Sequence, residues 1–314
     1  MLRSLLCFFL LLNCLIEAKS AVIPYQNDLR PELQQLYIQM EDVARSDARA
    51  ALPLALEIYQ RSNSNDMNTS GWALVNYSRL LLDNDSIQKA KNLLSDSTQI
   101  NWAKADSWLQ VYHSLALGSA LSFEGKYVNA DKLFRAALSD KSDEMLQIHA
   151  TQALASNLRY QGKIDQSLVK WYEALEMSES IPDSTLIYNC YLGLGIGHFL
   201  RDELEKSESE IQTYRKFNLR IRNRKNLAQA LSILGLLKYR QREYQSSIDL
   251  NLEGYSIRKA INDIKGQGES LNNLALGYMG MKNWQQALRY LEEAVQLKTI
   301  ANDHTQMTVI LNNM

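Results

Sequence analysis

The sequence has few of the residues that interrupt helices: among 314 residues there are 4 prolines and 13 glycines. Both counts are below the usual shares of roughly 5% and 7%. Proline breaks the interior of a helix, and glycine weakens it. This scarcity disfavours an all-β or loop-rich fold and predicts a chain that is helical along most of its length.

Cysteine and net charge are also scarce. Three cysteines cannot form a disulfide framework. The 34 Lys and Arg residues balance 35 Asp and Glu, so the basic excess that nucleic-acid binding requires is missing and we expect no nucleic-acid partner. Cys190 lies among helical apolar residues. We expect it to be a buried small side chain, with pairing to a partner or redox sensing as the alternatives.

The residues that carry most enzyme chemistry are scattered. The histidines lie far apart and never at ligand spacing with Cys or Glu, so no metal site is expected: His113, His149, His198 and His304. The glycines of GLGIG (193–197) sit in a helical pattern, which favours close helix packing over a dinucleotide site. Phosphate-binding glycine loops and Ser/His/Asp or Cys/His arrangements are missing. We therefore expect no cofactor and no active site, and hence no enzyme, in this sequence.

Residues 1–20 have the pattern of a secretory signal peptide. Arg3 supplies the positive start, residues 5–12 form an apolar run, and Ala18 and Ser20 are the small residues that a signal peptidase requires. The pattern predicts cleavage after Ser20 and an exported protein.

Two alternatives to cleavage remain open. A retained membrane anchor would need about 20 apolar residues, and Asn13 and Glu17 interrupt the run before that length. A lipoprotein would carry its lipid on Cys14, but Asn13 is a poor residue directly before such a cysteine. Nothing later in the chain is apolar enough to span a bilayer.

A repeat of 40 residues organises the rest of the chain. Four segments align without gaps at successive shifts of 40, and a fifth lies 37 residues earlier: 273–297, 233–257, 193–217, 153–177 and 116–140. Internal similarity at such a period is typical of stacked helical repeats. Apolar residues recur three and four apart, as in a helix that faces a core.

Equivalent positions of the five copies carry equivalent residue types. One position is always leucine: Leu117, Leu154, Leu194, Leu234 and Leu274. The next is always small: Gly118, Ala155, Gly195, Gly235 and Ala275. A second small position follows twelve residues later: Ala130, Ser167, Ser207, Ser247 and Ala287. Three residues before it stands a large apolar side chain: Tyr127, Ile164, Leu204, Tyr244 and Trp284.

The two small positions predict where a pair of antiparallel helices crosses closely. One hairpin cannot bury both of its faces, so the copies should stack into a solenoid. Gly235→Leu should therefore overpack the crossing, whereas Gly235→Ala should be tolerated.

The pattern resembles that of the tetratricopeptide repeat family, most clearly at Leu274, Ala275, Tyr278, Ala287, Leu291 and Ala294. The resemblance covers about residues 107–314. It implies an all-α, right-handed superhelical solenoid of antiparallel helix hairpins that binds protein or peptide. The period of about 40 exceeds the family's usual length of about 34, and the closing proline is missing. Longer helices, similar to those of kinesin light chains and of bacterial signalling regulators, explain both departures.

These patterns divide the chain into four parts. We expect a signal peptide at 1–20, divergent N-terminal hairpins or a cap at 21–106, and five repeats at 107–301. Residues 302–314 match the start of a further repeat, because His304 to Met314 fall on 264–274 after a shift of 40. An apolar half-helix without its partner lacks the polar cap that ends a stable solenoid, so we expect the sequence to be truncated there. An output domain encoded after Met314 is retained as an alternative.

In such a solenoid the first helix of each hairpin lines the concave side. The side chains expected there are His149, Gln152, Ser156, Arg159, Tyr160, Asn189, Phe199, Gln229, Ser232, Tyr239, Arg240, Glu269, Asn272, Asn273 and Met279. Amides can bond a peptide main chain, while aromatic residues and Met hold its side chains. Asn273 resembles the groove asparagine with which elongated repeats clamp a peptide backbone. We expect Arg159, Tyr239 and Asn273 to contribute little to packing. The alternative is a polar face without a ligand.

The sequence therefore predicts an exported module that binds protein or an extended peptide. Resemblance to exported bacterial repeat arrays implies a periplasmic location and the sensor region of a membrane signalling protein, such as a diguanylate cyclase or histidine kinase. The alternative is a free periplasmic adaptor or scaffold for envelope complexes. A helical glycosidase is disfavoured, because the repeat pattern places no inward pair of carboxylates.

Overall fold

The computed structural model describes residues 31–46, 48–62, 66–84, 86–96, 100–139, 143–181, 184–300 and 310–313. The predicted signal peptide lies outside the described residues, as does most of the segment 302–314. None of the helices in the described ranges is long and apolar enough to cross a membrane.

Helices and short turns make up the described ranges, without a strand, which confirms the all-α prediction. The helices are α1 (Pro31–Ser46), α2 (Ala48–Ser62), α3 (Met67–Asp83), α4 (Ile87–Ser95), α5 (Ser107–Phe123), α6 (Tyr127–Ser139), α7 (Glu144–Tyr160), α8 (Ile164–Ser178), α9 (Ser184–Leu200), α10 (Leu204–Arg220), α11 (Arg224–Arg240), α12 (Tyr244–Ala260), α13 (Ile264–Gly280) and α14 (Trp284–Ile300). A short 3₁₀ helix, Trp102–Lys104, precedes α5.

Helix length explains the period. Each helix from α9 to α14 has 17 residues. The connections have three residues each: 201–203, 221–223, 241–243, 261–263 and 281–283. Two such helices and their two connections span 40 residues, as the expectation of longer helices requires.

Each of these connections closes a helix in the same way. The second residue has positive φ: Asp202 (66°), Arg222 (57°), Arg242 (66°), Asn262 (53°) and Lys282 (61°). The N–H of the third residue donates to the carbonyl five residues earlier, as Glu243 does to Lys238 at 2.9 Å. This is the Schellman motif, which ends a helix without a proline. Gly125 and Gly162 occupy the positive-φ position in earlier hairpins, where glycine carries no steric penalty.

The small positions lie where the paired helices touch, as predicted. A Cβ on Gly195 would approach Ile211 Cδ1 to 2.5 Å, and a Cβ on Gly118 would approach Phe134 Cε1 to 2.5 Å. The second small position faces the first, since Ser207 Oγ donates to the Gly195 carbonyl at 2.7 Å. The helices of a hairpin therefore approach too closely for a larger residue at these positions.

Contacts divide the chain into two compact units, with the division between Gly193 and Leu194. The N-terminal unit contains a core built by α1 to α5 around Trp72, which is fully buried. Pro53 is accommodated inside α2, in its second turn. The predicted boundaries at residues 106 and 301 stay predictions.

The C-terminal unit has a core in which α13 and α14 contribute Leu271, Leu274 and Leu291. Ile310 is fully buried in the same cluster, and residues 310–313 are helical. Asn313 Nδ2 donates to Asn272 Oδ1 at 2.9 Å. Residues 310–313 are therefore helical and lie beside α13. The predicted start of a further repeat at 302 stays a prediction.

Gly235 corrects one expectation from the sequence. A Cβ at this position would lie 2.2 Å from Asn251 Nδ2, and that amide already donates to the Ser247 carbonyl at 2.8 Å. Even alanine must displace a buried, hydrogen-bonded side chain, so Gly235→Ala is not a neutral change.

We therefore expect Gly235→Ala to lower the free energy of unfolding by about 1–3 kcal/mol, as overpacking does. The same two positions hold Ala275 and Leu291 in the next hairpin, within one core cluster. Adding Asn251→Leu to Gly235→Ala should restore much of the loss, because it recreates that pair. Urea unfolding of both single variants and the double variant measures the coupling. A Gly235→Ala variant as stable as the parent would contradict the described crossing.

Candidate peptide-binding face

One side of each first helix carries the predicted binding residues. Positions i, i+3, i+7 and i+10 share a side of a helix, because 3.6 residues make a turn. Within each unit taken by itself, we call the side formed by these positions and the residues directly after them the first-helix face of that unit. Its repeating positions are 149, 152, 156 and 159 in α7; 189 and 199 in α9; 229, 232, 236 and 239 in α11; and 269, 272, 276 and 279 in α13.

In the N-terminal unit the α7 part of this face is buried. His149, Gln152, Ser156 and Arg159 are at most 5% exposed. Gln152 Nε2 donates to the Leu186 carbonyl at 3.0 Å, and its nitrogen lies 3.2 Å from Cys190 Sγ. Gln152 thus contacts α9 of the following hairpin through its amide nitrogen.

Aromatic contacts hold the C-terminal end of α7. The Arg159 guanidinium lies 4.8 Å from the centre of the Tyr160 ring, and Tyr160 stacks on Tyr127 at 6.3 Å. Arg159 is 1% exposed, which contradicts the expectation that it contributes little to packing. On α9, Asn189 is half-buried at the position equivalent to His149.

In the C-terminal unit, α11 places its predicted residues among polar and aromatic neighbours. Gln229 Oε1 accepts a hydrogen bond from the Tyr214 hydroxyl at 3.3 Å. Tyr239 is half-buried, with its ring 5.7 Å from that of Tyr244. Ser232 is buried. Two further predicted residues meet each other here, since the Arg240 guanidinium lies 5.4 Å from the ring centre of buried Phe199.

On α13 three predicted residues are buried, namely Glu269, Asn272 and Asn273, while Met279 is half-buried. Asn273 is 3% exposed, so like Arg159 it departs from the expectation of little packing. The structure therefore aligns the predicted residues of each helix on one side, but makes several of them part of the packing.

In each unit, polar atoms on this side of the first helices are buried without a hydrogen-bond partner among the described residues. They include Gln152 Oε1 and Ser156 Oγ in the N-terminal unit, and Ser232 Oγ, Asn272 Nδ2 and Asn273 Oδ1 in the C-terminal unit. An unsatisfied buried polar atom costs about 1–3 kcal/mol. Most buried polar groups in native proteins have partners, so a run of exceptions on one face requires an explanation. Amides and hydroxyls can bond a peptide main chain, and a ligand would reach these buried atoms only after the surrounding side chains move.

Arg258 was missed by sequence reasoning. It is 4% exposed and lies 3.3 Å from Glu269 and 3.7 Å from Asp263, and its Nη1 donates to the Gly266 carbonyl at 2.6 Å. A Cβ on Gly266 would approach Arg258 Nε to 2.7 Å. The signal in the sequence was Gly266, two residues after the start of α13. A residue without a side chain leaves room for a neighbouring side chain such as that of Arg258.

A histidine–carboxylate contact also forms in the C-terminal unit. His198 Nδ1 lies 2.8 Å from Glu203 Oε2, and Nε2 lies 3.5 Å from Glu210 Oε1. Burial raises the pKa of Glu210 to about 7, against the opposing effect of Lys206. Across the described ranges, no group of three or more His, Cys, Asp or Glu residues is placed to hold a metal ion.

Cys190 is fully buried, as expected for a packed small side chain. Burial raises the pKa of its thiol to about 11, while hydrogen bonds from Gln152 and Ser178 act in the opposite direction. The thiol therefore stays protonated near neutral pH and is a poor nucleophile.

Comparisons with known proteins match one hairpin of the chain to a repeat family. A tetratricopeptide repeat model matches residues 268–299, which lie in α13 and α14. No curated protein matches the sequence.

Solved structures share the architecture. A Rap protein complexed with competence and sporulation factor is 14% identical, with a TM-score of 0.69, 91% of this chain covered and 80% of that one. NprR in complex with its cognate peptide NprX is 12% identical, with a TM-score of 0.63 and coverage of 90% and 84%. Aspartyl phosphate phosphatase F from Bacillus subtilis is 14% identical, with a TM-score of 0.60 and coverage of 95% and 79%. At these identities the likeness shows the fold, an array of tetratricopeptide-like helical hairpins.

Two serines of the C-terminal unit test whether the unpartnered atoms are a real stability defect. Ser232 Oγ has no partner, whereas Ser207 Oγ donates to the Gly195 carbonyl at 2.7 Å, and both side chains are buried. Without a ligand, Ser232→Ala should raise the free energy of unfolding by about 1 kcal/mol, while Ser207→Ala should lower it by about 1 kcal/mol. Thermal and urea unfolding measure both changes. Equal destabilisation by the two substitutions would show that Ser232 is satisfied in the folded chain.

Proposed function

We propose that this chain is an exported peptide-binding repeat module and the periplasmic sensor region of a membrane signalling protein. The ligand is a protein segment or an extended peptide, which is held on the first-helix face. The module itself performs no chemistry.

The observation that carries peptide binding is the set of unpartnered polar atoms on the first-helix face. Asn272 Nδ2 is a donor and Asn273 Oδ1 is an acceptor, on adjacent residues of α13. A peptide main chain presents a carbonyl and an N–H in alternation, which is the complement of this pair. Binding a peptide would satisfy these atoms, and the relief of their desolvation penalty would add to the affinity.

The solved structures support the same use of the fold. The Rap structure is of a complex with competence and sporulation factor, and the NprR structure is of a complex with the peptide NprX. Both share the architecture of this chain over nine-tenths or more of its length. A face of amides, aromatic residues and Met on stacked first helices suits a ligand of that kind.

Export is proposed from the first 20 residues, with their Arg3, apolar run and small residues at the cleavage site. The sensor role is proposed from the resemblance to exported bacterial repeat arrays. A free periplasmic adaptor or scaffold for envelope complexes is the second candidate, because the same face would serve either protein. An apolar run of about 20 residues encoded after Met314 would favour the sensor.

We expect Tyr239→Ala and Asn273→Ala each to weaken capture of the partner at least about tenfold, because an interface anchor contributes about 2 kcal/mol or more. A pull-down from periplasmic extract, with purified protein as bait and mass spectrometry as readout, measures the loss. Melting temperatures are recorded beside it, since Asn273 is buried.

The matched controls are substitutions on second helices. Arg289→Ala in α14 changes an exposed residue, and Lys170→Ala in α8 removes a contact with Glu173. Both should leave capture intact, because surface changes usually alter stability by less than about 0.5 kcal/mol. Undiminished capture by folded Tyr239→Ala and Asn273→Ala variants would place the binding surface elsewhere.

Export has its own test. Protein recovered from the periplasm should begin at Ala21, because signal peptidase cleaves after the small residue Ser20. Mass spectrometry of the intact protein and of its N-terminal peptide measures the start. A mature chain that begins at Met1, or that carries lipid on Cys14, would overturn the proposal of a cleaved leader.

A further inference from the structure

Positive charge is concentrated in one part of the C-terminal unit. Residues 211–242 contain nine of the 34 Lys and Arg residues of the chain and none of its 35 Asp and Glu residues. Six of the nine lie within residues 215–225, at the end of α10, in the connection and at the start of α11. In a chain with a formal net charge of −1, this run creates a local excess of positive charge that attracts anions.

The cations at the two ends of α11 differ in their partners. At the C-terminal end, Lys238 Nζ lies 2.9 Å from Glu208 Oε1. Arg240 pairs with Asp202 at the same end. Near the N-terminal end, four exposed cations have no carboxylate partner among the described residues: Lys216, Arg220, Arg222 and Arg224. The excess of positive charge is therefore exposed at that end.

Two aliphatic side chains are exposed among these four cations. Leu219 is 60% exposed and Ile221 is 44% exposed. The repeat does not require this exposure, because Ile261, which stands 40 residues after Ile221 in the next connection, is 6% exposed. Single exposed apolar residues are ordinary, but a pair surrounded by cations combines two kinds of attraction at one place. We call the six exposed side chains the basic turn: Lys216, Leu219, Arg220, Ile221, Arg222 and Arg224.

The backbone that carries the basic turn is held by hydrogen bonds. The Asn223 N–H donates to the Asn218 carbonyl at 2.9 Å, which closes α10. Asn218 Nδ2 donates to the Tyr214 carbonyl at 2.8 Å, and Asn223 Oδ1 accepts from the Asn226 N–H at 3.1 Å. Both asparagines are buried. The exposed side chains are therefore presented by an ordered backbone, and a surface that binds them orders little more than the side chains themselves.

From this arrangement we infer that the basic turn is a contact site for a bilayer of anionic phospholipids. The cations contact lipid phosphates, and Leu219 and Ile221 enter the headgroup region. Clusters of Lys and Arg are attracted to anionic lipids, and exposed aliphatic side chains add apolar burial that salt does not screen. The inference is independent of the peptide-binding proposal, because no residue of the basic turn belongs to the first-helix face.

A bilayer fits the mixture of side chains better than a nucleic acid does. A nucleic-acid backbone would neutralise the cations but has no apolar layer for the two aliphatic side chains. A bilayer offers phosphates and an adjoining apolar layer, and it needs no complementary pocket. Contact of this kind would turn the α10–α11 connection of the C-terminal unit toward the membrane surface.

Vesicle flotation tests the inference with two lipid compositions. One is phosphatidylcholine alone, and the other contains about 30% phosphatidylglycerol, which supplies the negative surface charge. Binding is measured at about 50 mM and about 500 mM NaCl, between which the Debye length falls about threefold. Parent and variants are prepared in the same form, so that residues 1–20 contribute equally to all of them. At low salt we expect at least about tenfold tighter binding to the anionic vesicles, and weaker binding at high salt.

Arg222 and Arg242 provide a matched pair of variants. Both are exposed, and both are the second residue of a three-residue connection with positive φ, at 57° and 66°. Helix α11 separates them by about 25 Å, which exceeds the Debye length at physiological salt. Arg222→Gln should weaken binding to anionic vesicles about fivefold, the effect of one cation near an anionic surface. Arg242→Gln should weaken it less than about twofold.

The aliphatic side chains have their own variants. Leu219→Gln and Ile221→Gln should each weaken binding to anionic vesicles about threefold at both salt concentrations, because the loss of apolar burial is not screened. Substitutions at exposed positions rarely disturb folding, and circular dichroism melts of each variant check this.

Three results overturn the inference. One is equal binding of the parent to neutral and anionic vesicles. Another is equal loss in Arg222→Gln and Arg242→Gln, which would show that overall charge and not the basic turn is responsible. The third is parent-like binding by both Leu219→Gln and Ile221→Gln, since a soluble acidic partner would then account for the cations. All three leave the proposed function intact, because the first-helix face is unchanged in these variants.

Discussion

Close contact between the two helices of each hairpin is the constraint on which the rest of the structure depends. Side chains at one crossing position are always small, and at Gly118, Gly195 and Gly235 a side chain of the facing helix already occupies the space of a Cβ. Schellman closures at constant spacing end each helix from α9 to α13 after 17 residues, so each crossing recurs in the same register. A fixed register then gives every first helix the same side to present, and the first-helix face follows from it.

The polar residues of that face lower the stability of the fold, and they are also the residues proposed to bind a ligand. Neighbouring helices satisfy part of each side chain: Gln152 bonds the Leu186 carbonyl through its nitrogen, and Asn272 accepts from Asn313 through its oxygen. The opposite end of each amide is left without a partner in the described ranges. Apolar residues of similar size would pack there at lower free energy, so these amides destabilise the chain slightly. Retaining polar groups that weaken a fold is typical of sites that act on a ligand.

In the C-terminal unit, buried charged side chains have counter-charges, whereas some buried neutral polar atoms have no hydrogen-bond partner among the described residues. Arg258 reaches Glu269, Asp263 and the Gly266 carbonyl, and Gly266 gives it the room to do so. The result is a buried network in which each ion has a counter-charge, as buried ions require. On the same helix, Asn272 Nδ2 and Asn273 Oδ1 are buried without a hydrogen-bond partner among the described residues. A single helix, α13, therefore combines a buried ion pair with buried neutral groups whose hydrogen-bonding capacity is only partly used.

The sequence by itself determined the helical class, the 40-residue period and the crossing positions, because these depend on local periodicity and residue size. It also selected the helix side that carries the polar residues, since 3.6 residues per turn convert spacing into direction. Only the tertiary structure decided that Arg159 and Asn273 are buried, that Glu269 already has Arg258, and that Asn251 occupies the space beside Gly235. These contacts join residues of different helices, and rotamer choice and neighbouring volume decide them. The periodicity of the sequence gives no information about rotamers or about the volume of neighbouring side chains.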